Sequence, residues 1–125
     1  MAGELILIIE DNEKNRRLVR DVLQFKGYQT IETETGEEGV ELARSRQPAL
    51  VLMDIQLPGI NGIEALKILR GKPDTAAIPI VAVTASVMQQ DRTLITEAGF
   101  DGYISKPINI KEFLESVGRA LARKA

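Results

Sequence analysis

The sequence predicts an α/β protein: a parallel five-stranded sheet with helices on both faces. Three observations carry this. Apolar runs alternate strictly with segments of helical periodicity along the chain. The runs at Leu5, Leu50 and Pro79 are apolar throughout, as strands covered on both faces must be. The runs at Tyr28 and Gly102 are more polar or shorter, as edge strands are.

The elements follow in order. "LILII", Leu5 to Ile9, is the first strand. From about Lys14 to Lys26, Leu18, Val19, Val22 and Leu23 recur at helical spacing, and Gly27 stops the pattern. "YQTIET", Tyr28 to Thr33, alternates like a half-buried strand, and a helix from about Gly36 to Arg46 turns Val40 and Ala43 inward. "ALVLM" is the third strand, followed by Pro58, Gly59, Asn61 and Gly62, which form a turn. A helix from about Ile63 to Arg70 carries Leu66 and Leu69. "IPIVAV", Ile78 to Val83, is the fourth strand, with a weakly patterned helix from about Val87 to Glu97 after it. "GYIS", Gly102 to Ser105, is a short fifth strand, and the last helix places Ile110, Phe113, Leu114, Val117 and Leu121 on one face. Edge positions for strands two and five give the doubly wound order 2-1-3-4-5, the flavodoxin-like (βα)5 three-layer sandwich.

The totals narrow the chemistry. A chain of 125 residues suits one domain, read here as 1–125. Net charge is −2 with no long run of one sign, so there is no electrostatic footprint for nucleic acid. With no cysteine, the chain has no disulfide, thiolate metal site or thiol nucleophile. With no histidine, it lacks the commonest general base and cannot itself carry a phosphohistidine. No apolar stretch approaches the ~20 residues that span a bilayer, and "MAGELILII" lacks the basic region of a signal peptide, so the expected location is the cytoplasm.

In such sheets ligands bind beyond the carboxyl ends of the strands, beside the point where strand order reverses. Glu10 and Asp11 follow the first strand, Asp54 the third, Thr84 and Ala85 the fourth, Lys106 and Pro107 the fifth. Alone, each has an ordinary role: Asp and Asn cap helices, Asp forms turns, a lysine is solvated. Together they put carboxylates, a hydroxyl and an ammonium on one rim. Two carboxylates about 4 Å apart repel by roughly 4 kcal/mol at an effective dielectric near 20. A hard divalent cation relieves this, and an all-oxygen donor set favours Mg²⁺, or Ca²⁺ or Mn²⁺. Lys106 and Thr84 suit a phosphate, Ala85 leaves room for it, and a carboxylate can act as nucleophile to form an aspartyl-phosphate.

The pieces "IIEDN", "LVLMDIQLPGINGIE", "PIVAVTAS" and "YISKPI" stand in the order and spacing of the receiver domains of two-component response regulators, which the whole chain resembles. "MDIQLP" and "AVTA" are shared with single-domain receivers of the DivK type and with receiver modules of hybrid histidine kinases. The resemblance implies that Asp54 accepts a phosphoryl group from a phosphohistidine on a histidine kinase or a histidine phosphotransfer protein. It implies that Asp11 binds Mg²⁺ directly, Glu10 through water, and the backbone carbonyl of Gln56 completes the metal site. Thr84 and Lys106 contact phosphoryl oxygens, the Lys106–Pro107 bond is cis, and Tyr103 turns inward as Thr84 moves. Gln56 and Ser86 lie where receivers tune dephosphorylation. The implied output is a change in the face formed by the fourth helix, fifth strand and fifth helix, read by a protein partner that the sequence does not name. Receivers also dimerise through the last helix or its neighbours, although no long exposed apolar stripe compels that here.

Other functions fit less well. An aspartyl-nucleophile phosphatase needs a second acid two residues after the nucleophile, where this chain has Gln56. A flavin carrier of this fold needs a phosphate-cradling first loop, and "EDNEKN" is acidic. A transcription factor needs a DNA-binding unit, which the sequence does not contain. Between a free-standing regulator and a module excised from a hybrid kinase or larger regulator the sequence barely discriminates; the free-standing form is the expectation and the module the alternative.

Overall fold

The computed structural model describes residues 3–85 and 89–124. Five strands and five helices alternate: β1 (Leu5–Ile9), α1 (Glu13–Phe25), β2 (Gln29–Thr33), α2 (Gly36–Arg46), β3 (Leu50–Asp54), α3 (Gly62–Arg70), β4 (Ile80–Thr84), α4 (Gln89–Ala98), β5 (Gly102–Ser105) and α5 (Ile110–Lys124). The strands form one parallel sheet in the order β2-β1-β3-β4-β5, as expected.

Alternation along each strand sorts the apolar runs onto two faces. Leu7, Ile9, Val51, Met53, Ile80 and Ala82 pack with Val40, Ala43, Leu66, Leu69 and Ile95 of α2, α3 and α4. Ile6, Ile8, Leu50, Leu52, Val81 and Val83 pack with Val19, Leu23, Phe113 and Val117 of α1 and α5. Every residue of β3 and β4 is buried, whereas β2 and β5 are only partly so, as their edge positions require.

Helix starts are marked by polar side chains that accept first-turn N–H groups: Asn12 for α1, Thr35 for α2 and Asn61 for α3, the last in a reciprocal capping box with Glu64. At the opposite end of the sheet from the acidic loops, Arg70 ties three segments together. Its Nη1 donates to the Ala76 and Ile78 carbonyls at 2.9 and 2.7 Å, and its Nη2 meets Asp101 Oδ2 at 2.7 Å.

Several expectations needed correction. Asp54 and Thr84 are the last residues of β3 and β4 rather than the first beyond them, because each still pairs with its neighbour strand, Asp54 with Val83 and Thr84 with Ser105. Ile110 is 50% exposed rather than facing the core. It opens α5 just after Asn109, and Ile108 covers that end of the core instead. Leu18 also faces outward at 37% exposure, since the sheet takes only the narrower stripe of Val19 and Leu23. The start expected for the fourth helix at Val87, and Ser86 before it, lie outside the described residues.

Gly62 opens α3 directly against the end of β3, where a Cβ would stand 2.5 Å from the Asp54 carbonyl oxygen and 2.9 Å from Ile55 Cα. Backbone atoms cannot swing aside as a flexible side chain would. Gly62→Ala is therefore expected to lower unfolding free energy by about 1–3 kcal/mol, measured by urea denaturation; an unchanged midpoint would show that α3 can shift without cost.

Candidate functional site

β1 and β3 are neighbours, while the chain runs from β1 outward to β2 before returning to β3. Their carboxyl ends flank the reversal of strand order, and the acidic residues stand there. Glu10 follows β1, and its N–H donates to the Thr33 carbonyl of β2 at 3.0 Å. Asp54 ends β3, with Oδ1 accepting the Gln56 N–H at 3.1 Å. Carboxylate oxygens of Glu10, Asp11 and Asp54 all lie within 4.8 Å of one another. Glu10 and Asp54 are buried at 3% and 5% exposure, whereas Asp11 faces the solvent.

The fifth loop supplies the counter-charge. Lys106 Nζ lies 2.9 Å from Glu10 Oε1 and 3.2 Å from Asp54 Oδ2. The Lys106 N–H donates to the Thr84 carbonyl at 2.8 Å, extending the β4–β5 ladder by one bond and carrying the lysine to the rim. The Lys106–Pro107 peptide bond is cis, as the resemblance implied. Glu10 Oε2 accepts the Asn12 N–H at 3.1 Å. A cavity of about 440 Å³ opens here, lined by Glu10, Asp11, Asp54, Gln56, Ala85 and Lys106 together with Asn12 and Asn15. The sequence reading missed Asn15 as part of this wall. The signal available was its position one helical turn beyond Asp11 on α1.

Burial dominates the electrostatics of Glu10. It pushes the carboxyl from an ordinary 4.5 up to about 7, with Asp54 adding to the rise and Lys106 opposing it. Burial pulls the Lys106 ammonium down, but Glu10 and Asp54 together outweigh it and leave the lysine raised and charged. Three carboxylates thus face one ammonium, and one of the three resists ionisation. A divalent cation suits this donor set: it is all oxygen, it is short of positive charge, and it opens to solvent on the Asp11 side.

The sequence model of the response regulator receiver domain matches residues 6–118. The chain belongs to this family. The receiver is 45% identical over 112 residues to the polar-differentiation response regulator DivK of Brucella ovis, covering 90% of this chain and 91% of that protein. Its structure superposes on that of a putative response regulator from Chloroflexus aurantiacus with a TM-score of 0.92 at 29% identity, covering 96% and 98% of the two chains. It also superposes on the receiver domain of the sensor histidine kinase PA1611 from Pseudomonas aeruginosa, with a TM-score of 0.89 at 30% identity, covering 97% and 99%. That structure has a magnesium ion coordinated in its active-site cleft. Receivers of this family are phosphoacceptor switches rather than classical enzymes, and they pair with histidine kinases or phosphotransfer proteins. Among the described residues no helix is long and apolar enough to cross a membrane.

The raised Glu10 sets a pH dependence in the metal-free receiver. Its folded value lies above its ordinary one, so its contribution to stability is fully present below about 4.5 and is lost as pH rises through about 7. Glu10→Gln removes that loss. Across pH 5 to 8 the variant should gain on the wild type by about 2–3 kcal/mol, read from melting curves in a chelator. A gap that stays constant with pH would show that Glu10 ionises in the fold as easily as in the unfolded chain.

Proposed function

We propose that Asp54 is the phosphoacceptor of this receiver, and that Glu10, Asp11, Asp54 and the backbone carbonyl of Gln56 hold Mg²⁺ beside it. The observation that carries this reading is Lys106 Nζ between Glu10 and Asp54, at 2.9 and 3.2 Å, on the rim where the three carboxylates converge. An ammonium so placed steadies the acidic pair and stays in reach of a phosphoryl oxygen on Asp54.

In the proposed transfer, one Asp54 carboxylate oxygen attacks the phosphorus of a phosphohistidine on a partner kinase or phosphotransfer protein. The P–O bond forms as the P–N bond breaks, and the imidazole leaves with the electron pair. Bound Mg²⁺ would supply positive charge to the phosphoryl oxygens. In this reading Lys106 would pair with one of those oxygens, and Thr84, ending the neighbouring strand, would donate its hydroxyl to another. Little covalent work falls to the protein, because phosphoryl transfer is mainly positioning and charge compensation. A phosphatase mechanism is disfavoured because Gln56 stands where a second acid would be needed.

The same reading extends to the output. Tyr103 lies on β5 opposite Ala82, and Ser105 lies opposite Thr84, so the proposed switch pair sits on adjacent strands two residues apart in register. Tyr103 is partly buried against the core that includes Ile95 of α4 and lines a cavity of about 380 Å³ with Ser105, Pro107, Glu112 and Arg119. A shift of Thr84 toward the phosphoryl group would open space for the ring and alter the α4-β5-α5 face, which a protein partner then reads. Residues 1–125 are read as one receiver domain acting in the cytoplasm.

The test is intact-protein mass after incubation with acetyl phosphate. One phosphoryl adduct is expected, dependent on Mg²⁺ and lost in a folded Asp54→Asn variant. An adduct that persists in Asp54→Asn would move the acceptor elsewhere, and unfolding of that variant would make Asp54 structural. Lys106→Ala should keep Mg²⁺ binding but slow transfer by about tenfold or more; an unchanged rate would remove the lysine from the mechanism.

A further inference from the structure

Arg16, on α1, lies outside the cation pocket yet holds its backbone. The side chain is only 15% exposed, and Nη1 donates to the Glu10 carbonyl at 2.9 Å. That carbonyl belongs to the peptide joining Glu10 to Asp11. On the other side of Glu10, its N–H donates to the Thr33 carbonyl of β2 at 3.0 Å. The residue is therefore gripped at both backbone polar groups, by β2 and by Arg16. A peptide unit is planar, so fixing its oxygen also fixes the rotation at which the Asp11 Cα leaves it.

The arginine is itself braced. Its Nε lies 3.6 Å from Glu32 Oε1, and Nη1 lies 3.7 Å from Glu34 Oε1. Arg20 Nη1 meets the same Glu32 oxygen at 3.3 Å. Glu32 keeps this place although its Oε2 is buried with no hydrogen-bond partner among the described residues. These carboxylates also offset a guanidinium charge that would otherwise oppose a cation close by.

We infer that Arg16 is a positioning residue for the divalent-cation site: it orients the Glu10–Asp11 peptide so that both carboxylates meet Asp54, without touching the cation. This rests on the metal reading proposed above. Positioning and charge predict opposite signs. If only charge mattered, Arg16→Gln would tighten Mg²⁺ binding and Arg16→Lys would leave it unchanged. If Arg16 positions the peptide, both variants weaken binding. Lysine weakens it because its single nitrogen cannot bond the carbonyl and span the flanking carboxylates as a planar fork does, but less than glutamine, because it keeps a charged donor on a stem long enough to reach the carbonyl.

The experiment is a Mg²⁺ titration of the metal-free wild type, Arg16→Lys and Arg16→Gln, followed by backbone amide resonances, with melting curves as a check on folding. The dissociation constant is expected to rise about tenfold in Arg16→Gln and by a smaller factor in Arg16→Lys. Without metal, the Asp11 and Asn12 amides should exchange faster in both variants. Unchanged affinities in folded variants, or tighter binding in Arg16→Gln, would overturn the inference while leaving the metal site standing. If Arg16→Gln fails to fold, Arg16→Lys decides by the same criteria. A wild type that does not bind Mg²⁺ would instead remove the metal reading itself, and the positioning role with it.

Discussion

The carboxyl end of this sheet depends on one ammonium group. Lys106 Nζ sits between the buried carboxylates of Glu10 and Asp54 and joins the fifth loop to the ends of β1 and β3. Without it, two acids at 3% and 5% exposure would face each other with Asp11 close by, and burial alone already drives Glu10 toward its neutral form. One lysine does not balance three carboxylates. The surplus negative charge is the feature that suits the pocket to a cation and, with the cation, to an incoming phosphoryl group.

This arrangement is tolerable because it is mounted on rigid parts. β1, β3 and β4 are buried on both faces by two separate apolar layers, so the strand ends cannot drift independently. Asp54 and Thr84 are strand residues held in the ladder, and Lys106 enters through a backbone bond to Thr84. Arg70 closes the far end of the sheet by tying α3, the segment before β4, and Asp101 before β5. A site on strand ends changes shape little when its charge changes, so the proposed output would have to be carried by side chains, Tyr103 on the edge strand being the one proposed above.

Much of this was legible in the sequence. Continuous apolar runs at Leu5, Leu50 and Pro79 against weaker ones at Tyr28 and Gly102 are enough to order the strands, because burial on both faces removes the polar alternation that edges keep. The rim residues could be picked out because each is polar where an apolar run stops. Periodicity misplaced Leu18 and Ile110, since a helical stripe says which residues share a face and not how wide a stripe the sheet will cover. Strand ends shifted by a residue or two because pairing with a neighbour, and not composition, decides where a ladder stops. Nothing in the sequence singled out Arg16: an arginine in the first half of an amphipathic helix looks like a solvated charge until Glu10, Glu32 and Glu34 are brought around it.

By itself, then, the sequence determined the strand order, the family, and the set of acids and the lysine that meet at one rim. Those follow from apolar patterning and from residue types at strand ends, which are local properties of the chain. Only the tertiary structure decided that the Lys106 ammonium is shared between Glu10 and Asp54, that Glu10 is buried deeply enough to resist ionisation while Asp11 remains in water, and that Arg16 grips the peptide between them. Such properties depend on distances between residues far apart in the chain and on how much solvent each keeps, and these exist only once α1, β2 and the fifth loop have closed around the end of β1.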